Sequence, residues 1–454
     1  MIKRELAEVV NMVKGHSLKD KYKNIEVKGV SIDTRTLKKD QLFIPIIGEN
    51  TDGHKYIDTA AQKGAGAALW DEKTPLPDID IPLILVEDTT KALQDLAKEY
   101  NNQVGGKVVG ITGSNGKTST KDIIYSILRS KYKTHKTLGN FNNEYGLPLT
   151  ILSMDEDTDM AVLEMGMDGL GDIRFLCQIA PPDIAVITNS TDVHINDLGT
   201  VENILRAKME IAEGVKEEGL LVYLGDSPPL KKAVEDLDRS IKKVSFGENK
   251  NNEYVAEFLS STNKGINFKV EEKEYFLPML GRYNIYNGAA AVAVAEYLGF
   301  NTEEIKKSII EIDSTGLRNE LIKGKDFHIL NDAYKSNPTS LRFALGTLYD
   351  LKGYSQKIVV LGDMFGTGEN ELENHIQIGR EIDSNQVDMI FTLGNLAENF
   401  AKGARKNFTE DKIHSFNDLD DLAEALKPRI KENSVVLIKG SRILEMERIL
   451  DKIL

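Results

Sequence analysis

Between residues 108 and 122 the chain reads VVGITGSNGKTSTKD, an apolar run that gives way to glycines, a lysine and hydroxyls. A strand ending at Thr112, a glycine-rich turn and a helix beginning near Lys117 or Thr118 would aim successive backbone N–H groups, those of Ser114, Asn115 and Ser119 among them, at one anion. The positive end of the helix adds to the attraction. Gly113 and Gly116 carry no Cβ, which permits the sharp turn and the close approach. In such a loop Lys117 reaches the β- and γ-phosphates of a nucleotide and Thr118 offers its hydroxyl to Mg²⁺. The common spacing G-x-x-x-x-G-K-[ST] is not met, because Ile111 stands five residues before Gly116. The strand–loop–Lys–Thr–helix arrangement is nonetheless whole.

Three further positions could work with that loop. Glu164 ends the strand-like MAVLEMG. A carboxylate leaving the C-terminal end of a parallel strand beside a phosphate loop suits a hard cation such as Mg²⁺; a capping or surface carboxylate is the plain alternative. His194 lies in the polar stretch ITNSTDVHINDLGT, where it reads as a surface histidine or as a neighbour of metal, with Asn189 and Asp192 as candidates for orienting the loop. Lys208 sits in VENILRAKMEIAEG near the edge of an apolar face formed by positions 201, 204, 205, 209, 211 and 212. An exposed helix lysine is the ordinary outcome there.

The elements that must position these groups fall into three stretches, as a chain of 454 residues suggests, since single cores seldom grow past roughly 250–300 residues. Residues 1–105 open with an amphipathic helix, pass through short turn-rich strands and end in a helix followed by the polar run NNQVGG, read as a linker. Residues 106–315 alternate strands (KVVGIT, MAVLEMG, DIAVITN, LLVYLG) with helices, the mark of a mostly parallel sheet; YVAEF, GINFKV and EYFLPML look antiparallel. Residues 316–454 repeat the α/β theme with HILNDAY, QKIVVLGDM, VDMIFTLG and SVVLIKG.

Composition excludes several classes. Asp and Glu outnumber Lys and Arg by 71 to 57, a net charge of -14, which disfavours nonspecific binding to nucleic acid. One cysteine, Cys177, leaves neither a disulfide nor a Cys-rich zinc site and reads as a small packed hydrophobe. The N-terminus has no signal-peptide pattern. The most apolar long run, from Gly288, is broken by Glu296 and falls short of the ~20 residues of a membrane crossing. A cytoplasmic monomer without membrane insertion is expected.

The loop, read with its neighbours, resembles the ATP-dependent Mur ligase family, whose nucleotide motif has the form G-x-T-G-[ST]-N-G-K-[ST]; the resemblance extends over nearly the whole chain. It implies an α/β protein of three domains: a small N-terminal domain holding a UDP-linked acid (1–105), a central mostly parallel P-loop ATPase domain (106–315) and a C-terminal Rossmann-like domain that binds the amine and closes over ATP (316–454). It implies ATP and Mg²⁺, in two sites, with Thr118, Glu164 and His194 near the metals. Lys208 matches a lysine that is often carbamylated to N6-carboxylysine, a carboxylate-like metal ligand.

The same resemblance assigns Asn284, in GRYNIYNGAAA, to nucleotide or metal-bound water, with Tyr283 where many relatives have His. It assigns Arg318 to the γ-phosphate on closure and Asp332 to the ribose, with Lys335 replacing a common Asn. Thr34 and Arg35, with the TDGHKY run, match the uridine-binding segment. Asn142, Asn143 and Gly146 match the tripeptide-adding branch. Asp363, Met364 and His375, then Lys439, Gly440, Ser441 and Arg442, match the branch that accepts D-alanyl-D-alanine.

Lys439 or Arg442 could hold the dipeptide carboxylate, and Ser441 could orient the substrates. His375 could assist deprotonation of the amine, orient the dipeptide or make a structural hydrogen bond. The implied reaction adds D-alanyl-D-alanine to a UDP-N-acetylmuramoyl-tripeptide through an acyl-phosphate, in peptidoglycan precursor synthesis. The alternatives are another amide ligase of this architecture, such as a folylpolyglutamate synthase, and a nucleotide-regulated interaction module.

Overall fold

The computed structural model describes residues 1–454 apart from 49, 50, 192–194, 367 and 369, and gives no side chains at 196 and 197. His194 and Asp192 therefore lie outside the described residues. No helix among the described residues is long and apolar enough to cross a membrane.

The central sheet explains where the phosphate loop sits. Its nine strands run, edge to edge, Lys273–Leu277, Gly265–Val270, Tyr254–Thr262, Lys242–Gly247, Leu220–Leu224, Ile184–Ile187, Lys107–Thr112, Met160–Glu164 and Thr134–Lys136. The pairings are parallel except among the first three strands, which are antiparallel as their alternating pattern suggested. From Lys107–Thr112 the chain fills one side of the sheet and then returns to fill the other. The C-terminal end of that strand is thus a topological switch point, where open α/β sheets leave a crevice for ligands.

Period-two alternation divides the strand between two cores. Val108, with Ala161, Leu163, Ala185 and Ile187, faces the helices Asp172–Ile179 and Val201–Gly214. Val109 and Ile111, with Val162 and Val186, face Lys117–Leu128 and Asn284–Tyr297. The last of these helices is buried nearly all round because its residues are small. At Gly288 a Cβ would stand 2.6 Å from the Phe268 ring, so a larger residue would push helix from sheet.

The first domain carries a parallel four-stranded sheet, Val30–Ser31, Leu42–Phe43, Ala67–Asp71 and Leu83–Val86. Two expectations fail here. The chain opens on a strand, Lys3–Glu5, paired antiparallel with Glu26–Lys28, and the helix starts only at Leu6 behind a Glu5–Glu8 capping box. The polar NNQV is the last turn of the helix Thr89–Val104, with Asn101 buried; Gly105, at φ 69°, ends the helix. A left-handed C-terminal glycine is the ordinary helix stop, so the connection shortens to the glycine pair.

The last domain is a six-stranded sheet in the order Glu320–Lys323, His328–Asn331, Ser434–Lys439, Gln356–Gly362, Met389–Leu393 and Ile413–Phe416. It is parallel except for its first pair. The two edge strands were not expected, nor were Thr134–Lys136 and Lys242–Gly247. All four are short or polar, and neighbouring strands hold them.

Candidate active site at the phosphate loop

A cavity of about 910 Å³ opens at the switch point, lined by the phosphate loop, by Glu164 and by residues of the last domain. The loop is fixed before any ligand arrives. Gly113 (φ 148°) and Gly116 (φ 82°) adopt conformations L side chains rarely take. A Cβ on Gly113 would stand 1.9 Å from Thr188 Oγ1, and one on Gly116 2.5 Å from Asn287 Oδ1. The Ser114 and Asn115 N–H groups donate to the Asn189 carbonyl (3.2 Å) and Oδ1 (3.0 Å). Thr188 and Asn189 donate back to the Asn115 carbonyl at 2.6 and 2.9 Å. Asn189 therefore orients the loop. The helix Lys117–Leu128 starts without a side-chain cap, which leaves its N-terminus suited to an anion.

Lys117 donates to the Gly113 carbonyl at 2.6 Å. Burial pushes its ammonium down to about 8; Glu164 opposes that shift, while Lys335 and Arg318 add to it. Thr118 and Ser119 are buried on the cavity wall. Glu164 ends its strand 2% exposed and lines the cavity. Its Oε1 has no hydrogen-bond partner, although Lys121 Nζ stands 3.5 Å away as an ion pair. A buried carboxylate and the Thr118 hydroxyl on the wall of one cavity are an all-oxygen donor set, which fits Mg²⁺. Among the described residues no three His, Cys, Asp or Glu gather as a cage, and Mg²⁺ commonly takes one or two carboxylates and completes its shell with phosphate oxygens and water.

Lys208 departs from the exposed-lysine expectation. It is 1% exposed, and its ammonium has only Met167 Sδ, at 3.9 Å, as a hydrogen-bond partner among the described residues. Burial, then Lys117 and Lys335, hold it well below the usual lysine range. Cys177 is packed as expected, its thiol pushed up to about 12 by burial.

The last domain reaches over the loop. Asn337 Nδ2 donates to Asn115 Oδ1 at 3.0 Å. Arg318 lies 3.9 Å over the Tyr334 ring with its Nε unpartnered. Its neighbours Leu317 (φ 65°) and Asn319 (φ 48°) both take left-handed conformations, strain of the kind found where surrounding structure dictates a side chain's aim. Asp332 accepts from Lys439 Nζ at 2.6 Å and from the Asn319 N–H at 3.2 Å. Tyr283 stacks on Phe343, centroids 4.9 Å apart, and its hydroxyl accepts from Asn319 Nδ2 at 2.6 Å. Both rings line the cavity, a flat surface on which a nucleobase can stack. Asn319 and Phe343 were not singled out from sequence; only proximity to Arg318 hinted at Asn319.

Several expected contacts are placed differently. Asn284 does not line the cavity; its amide donates to the Leu280 carbonyl and its Oδ1 accepts from Asn287, which is the residue that faces the loop and accepts from Thr120. His375 is 0% exposed. Its Nδ1 meets the Glu371 carbonyl at 2.6 Å and its Nε2 accepts from the Met364 N–H at 3.1 Å. That fixes a neutral ring whose lone pair is occupied, so of its three proposed roles the structural hydrogen bond is the one realised.

Asp363 accepts from the Ala397 N–H at 2.6 Å, and Ser441 Oγ accepts from the Phe365 N–H at 3.1 Å. Lys439 lines the ATP-side cavity and is paired with Asp332, not held for a dipeptide. Arg442 is largely exposed, paired with Glu447. Asn142 and Asn143 line the cavity, and Asn143 Oδ1 accepts from the Gly146 N–H at 2.9 Å. Thr34 and Arg35 are not among the cavity's lining residues. Arg35 is exposed and paired with Asp33, and the Thr34 carbonyl accepts from Lys63.

Three family models match this chain: the Mur ligase family catalytic domain over residues 26–101, the Mur ligase middle domain over 111–295 and the Mur ligase glutamate ligase domain over 317–442. The chain belongs to the Mur ligase family. Among its relatives, the UDP-N-acetylmuramoyl-tripeptide–D-alanyl-D-alanine ligase of Bacillus subtilis (strain 168) is 42% identical over 452 residues, 99% of this chain and 98% of that one. MurF from Acinetobacter baumannii superposes with a TM-score of 0.88 at 27% identity, covering 100% of this chain and 99% of that one. The MurF ligase from Thermotoga maritima in complex with ADP gives 0.81 at 30% identity, covering 94% and 97%.

Proposed function

We infer that this chain is an ATP-dependent ligase that joins the amine of D-alanyl-D-alanine to the terminal carboxylate of a UDP-N-acetylmuramoyl-tripeptide, a step of peptidoglycan precursor synthesis. One observation carries the reading. A rigid phosphate loop, an orphaned buried carboxylate oxygen and an arginine from the last domain meet at a single cavity. End-to-end likeness to a tripeptide–D-alanyl-D-alanine ligase supports the choice of substrates.

The tripeptide carboxylate attacks the γ-phosphorus of ATP, the bond to ADP breaks, and an acyl-phosphate results. The dipeptide amine, in its neutral form, then attacks the carbonyl, and phosphate leaves with its bonding pair. The N–H groups at the uncapped start of the helix Lys117–Leu128 hold the polyphosphate with Lys117; those of Ser114 and Asn115 are engaged by Asn189. Arg318 meets the transferring phosphoryl group, where a fixed guanidinium offsets developing charge. Asp332 and the Tyr283–Phe343 pair receive the nucleoside. Closure of the last domain over the loop excludes water, which would otherwise consume the acyl-phosphate. Thr118 and Glu164 would hold Mg²⁺, and the metal would supply neutralisation of the phosphoryl oxygens.

Lys208 is a good acceptor for carbon dioxide, because a lysine kept neutral by burial is nucleophilic. Its amine attacks the carbon of CO₂ and releases one proton, leaving a carbamate. That anion would face the ammoniums of Lys117 and Lys335, which disfavour a positive charge there, and would add a metal ligand. Thr34 and Arg35 meet the uridine diphosphate, Asn142 and Asn143 line the tripeptide path, and Ser441 and Arg442 face the amine substrate. A nucleotide-linked substrate and ATP place the work in the cytoplasm.

The test is phosphate release over a matrix of acids and amines. Release is expected only with ATP, the UDP-linked tripeptide and D-alanyl-D-alanine together. Turnover with a folate and glutamate, or ATP binding without turnover, would overturn the reading.

A further inference from the structure

Behind Glu164, away from the cavity, lies buried charge that the proposed reaction does not use. Lys121, one turn into the helix Lys117–Leu128, is fully enclosed. Its ammonium faces Glu164 Oε1 at 3.5 Å and Asp122 Oδ1 at 3.3 Å, and donates to the Thr137 carbonyl at 2.8 Å. Thr137 closes the circle, its hydroxyl accepting from the Glu164 N–H at 3.0 Å. Asp122 is also paired with Lys136 at 3.1 Å and accepts from the Thr315 N–H at 2.7 Å. Lys136 donates in turn to the Asp313 carbonyl at 2.7 Å.

Two buried ammoniums and two buried carboxylates therefore meet inside the protein, and a third, largely exposed carboxylate, Asp313, pairs with Lys136 at 3.0 Å from the rim. Stability does not explain such a cluster, because well-packed apolar residues of similar volume are commonly as stabilising as a buried ion pair or more so. Its geometry has a direction instead. Lys121 stands on the Oε1 side of the carboxylate, while Oε2 accepts from the amide of Asn142, a cavity-lining residue, at 3.5 Å. The same cluster anchors residues 313 and 315, just before Arg318, on the helix that begins in the phosphate loop.

We propose that Lys121 is a positioning residue for the metal site: its buried ammonium and the Thr137 carbonyl–hydroxyl pair hold Glu164 extended toward the phosphate loop. This rests on the reading that Glu164 is a metal ligand. Partners behind a ligating carboxylate fix its direction, and their loss typically lowers metal affinity about 10–100-fold. Asp122 and Lys136 are the counter-charges that let Lys121 stay buried, and they bind the start of the last domain to the same point.

The test compares two neutral double variants, Lys121→Met/Asp122→Asn and Asp122→Asn/Lys136→Met, each removing one buried ammonium and one buried carboxylate. Mn²⁺ binding to the enzyme–ADP complex is followed by electron paramagnetic resonance, with melting temperature as a check on folding. The first variant is expected to bind Mn²⁺ at least about tenfold more weakly than wild type, and the second within about threefold of it. Lys121→Gln, which keeps a donor for the Thr137 carbonyl but no charge, carries the first expectation and stands in should that double variant not fold. Equal Mn²⁺ affinity in the two doubles would overturn the proposal. A wild-type enzyme with no ADP-dependent Mn²⁺ site would remove the reading of Glu164 itself.

Discussion

The two ends of the last domain's contact surface treat their polar groups in opposite ways. Around the phosphate loop, Glu164 Oε1 and Arg318 Nε are buried without hydrogen-bond partners among the described residues, and Lys208 has there only a thioether. Around residues 363–375 and 441, Asp363, His375 and Ser441 have theirs met by the protein, as does Lys439 at the cavity's edge. Folded proteins rarely leave buried polar atoms unpaired. An unpaired set gathered at one cavity is therefore a site waiting for ligand, whereas a paired group is already held in place by the protein. Motif resemblance alone does not separate the two.

The sharpest way to break this contrast is Lys117→Met. Turnover is expected to fall about 10³-fold, the scale for losing one preorganised charge-stabilising donor, with melting temperature nearly unchanged. In the wild type, kcat/KM for ATP is expected to decline as pH rises through about 8, where Lys117 in the free enzyme loses its charge. Steady-state kinetics from neutral to alkaline pH checks both.

On the paired side, Lys439→Met strands the Asp332 carboxylate and is expected to cost about 3–5 kcal/mol of stability, the range for breaking a buried pair. Adding Asp332→Asn should return most of that. Denaturant unfolding of the single and double variants measures it, and a Lys439→Met enzyme of full stability that had lost only its affinity for dipeptide would move Lys439 back to a substrate-binding role.

His375→Leu carries the smallest effect. It leaves the Met364 N–H unpaired, at about 1–3 kcal/mol, and should keep turnover within about tenfold; a general base would lose 10²–10⁴-fold. Burial lowers the folded pKa of this ring, so below its ordinary value near 6.5 the unfolded chain binds the proton more readily. The stability tied to the neutral ring is thus complete above about pH 6.5 and is lost as pH falls toward the folded value. Unfolding measured from neutral to mildly acidic pH should show a shallower acid slope in the variant.

Much of the fold and the nucleotide end of the site is written locally. The loop was legible because its glycines answer a backbone requirement within a few residues of one another, and Glu164 because a carboxylate at a strand end needs no tertiary information to be noticed. What escaped depends on distant packing. Lys208 sits at the margin of its helix face, and only the helix Asp172–Ile179, packed against the same core, decides that the margin is buried. Asn284 and Asn287 lie one turn apart on one helix, and which of them reaches the loop is settled by how that helix is set against Thr120. His375 drew attention only through its match to the dipeptide-accepting branch; its two partners, at Met364 and Glu371, are main-chain atoms that composition does not announce. The polar NNQV looked like a linker, yet Asn101 is buried against the core and Gly105 ends the helix.

The most direct measurement is a crystal structure of this protein with a non-hydrolysable ATP analogue and Mg²⁺. The terminal phosphoryl group is expected between Lys117, Thr118 and Arg318, with metal against the Glu164 carboxylate. A polyphosphate bound elsewhere, with no metal at Glu164, would contradict the account.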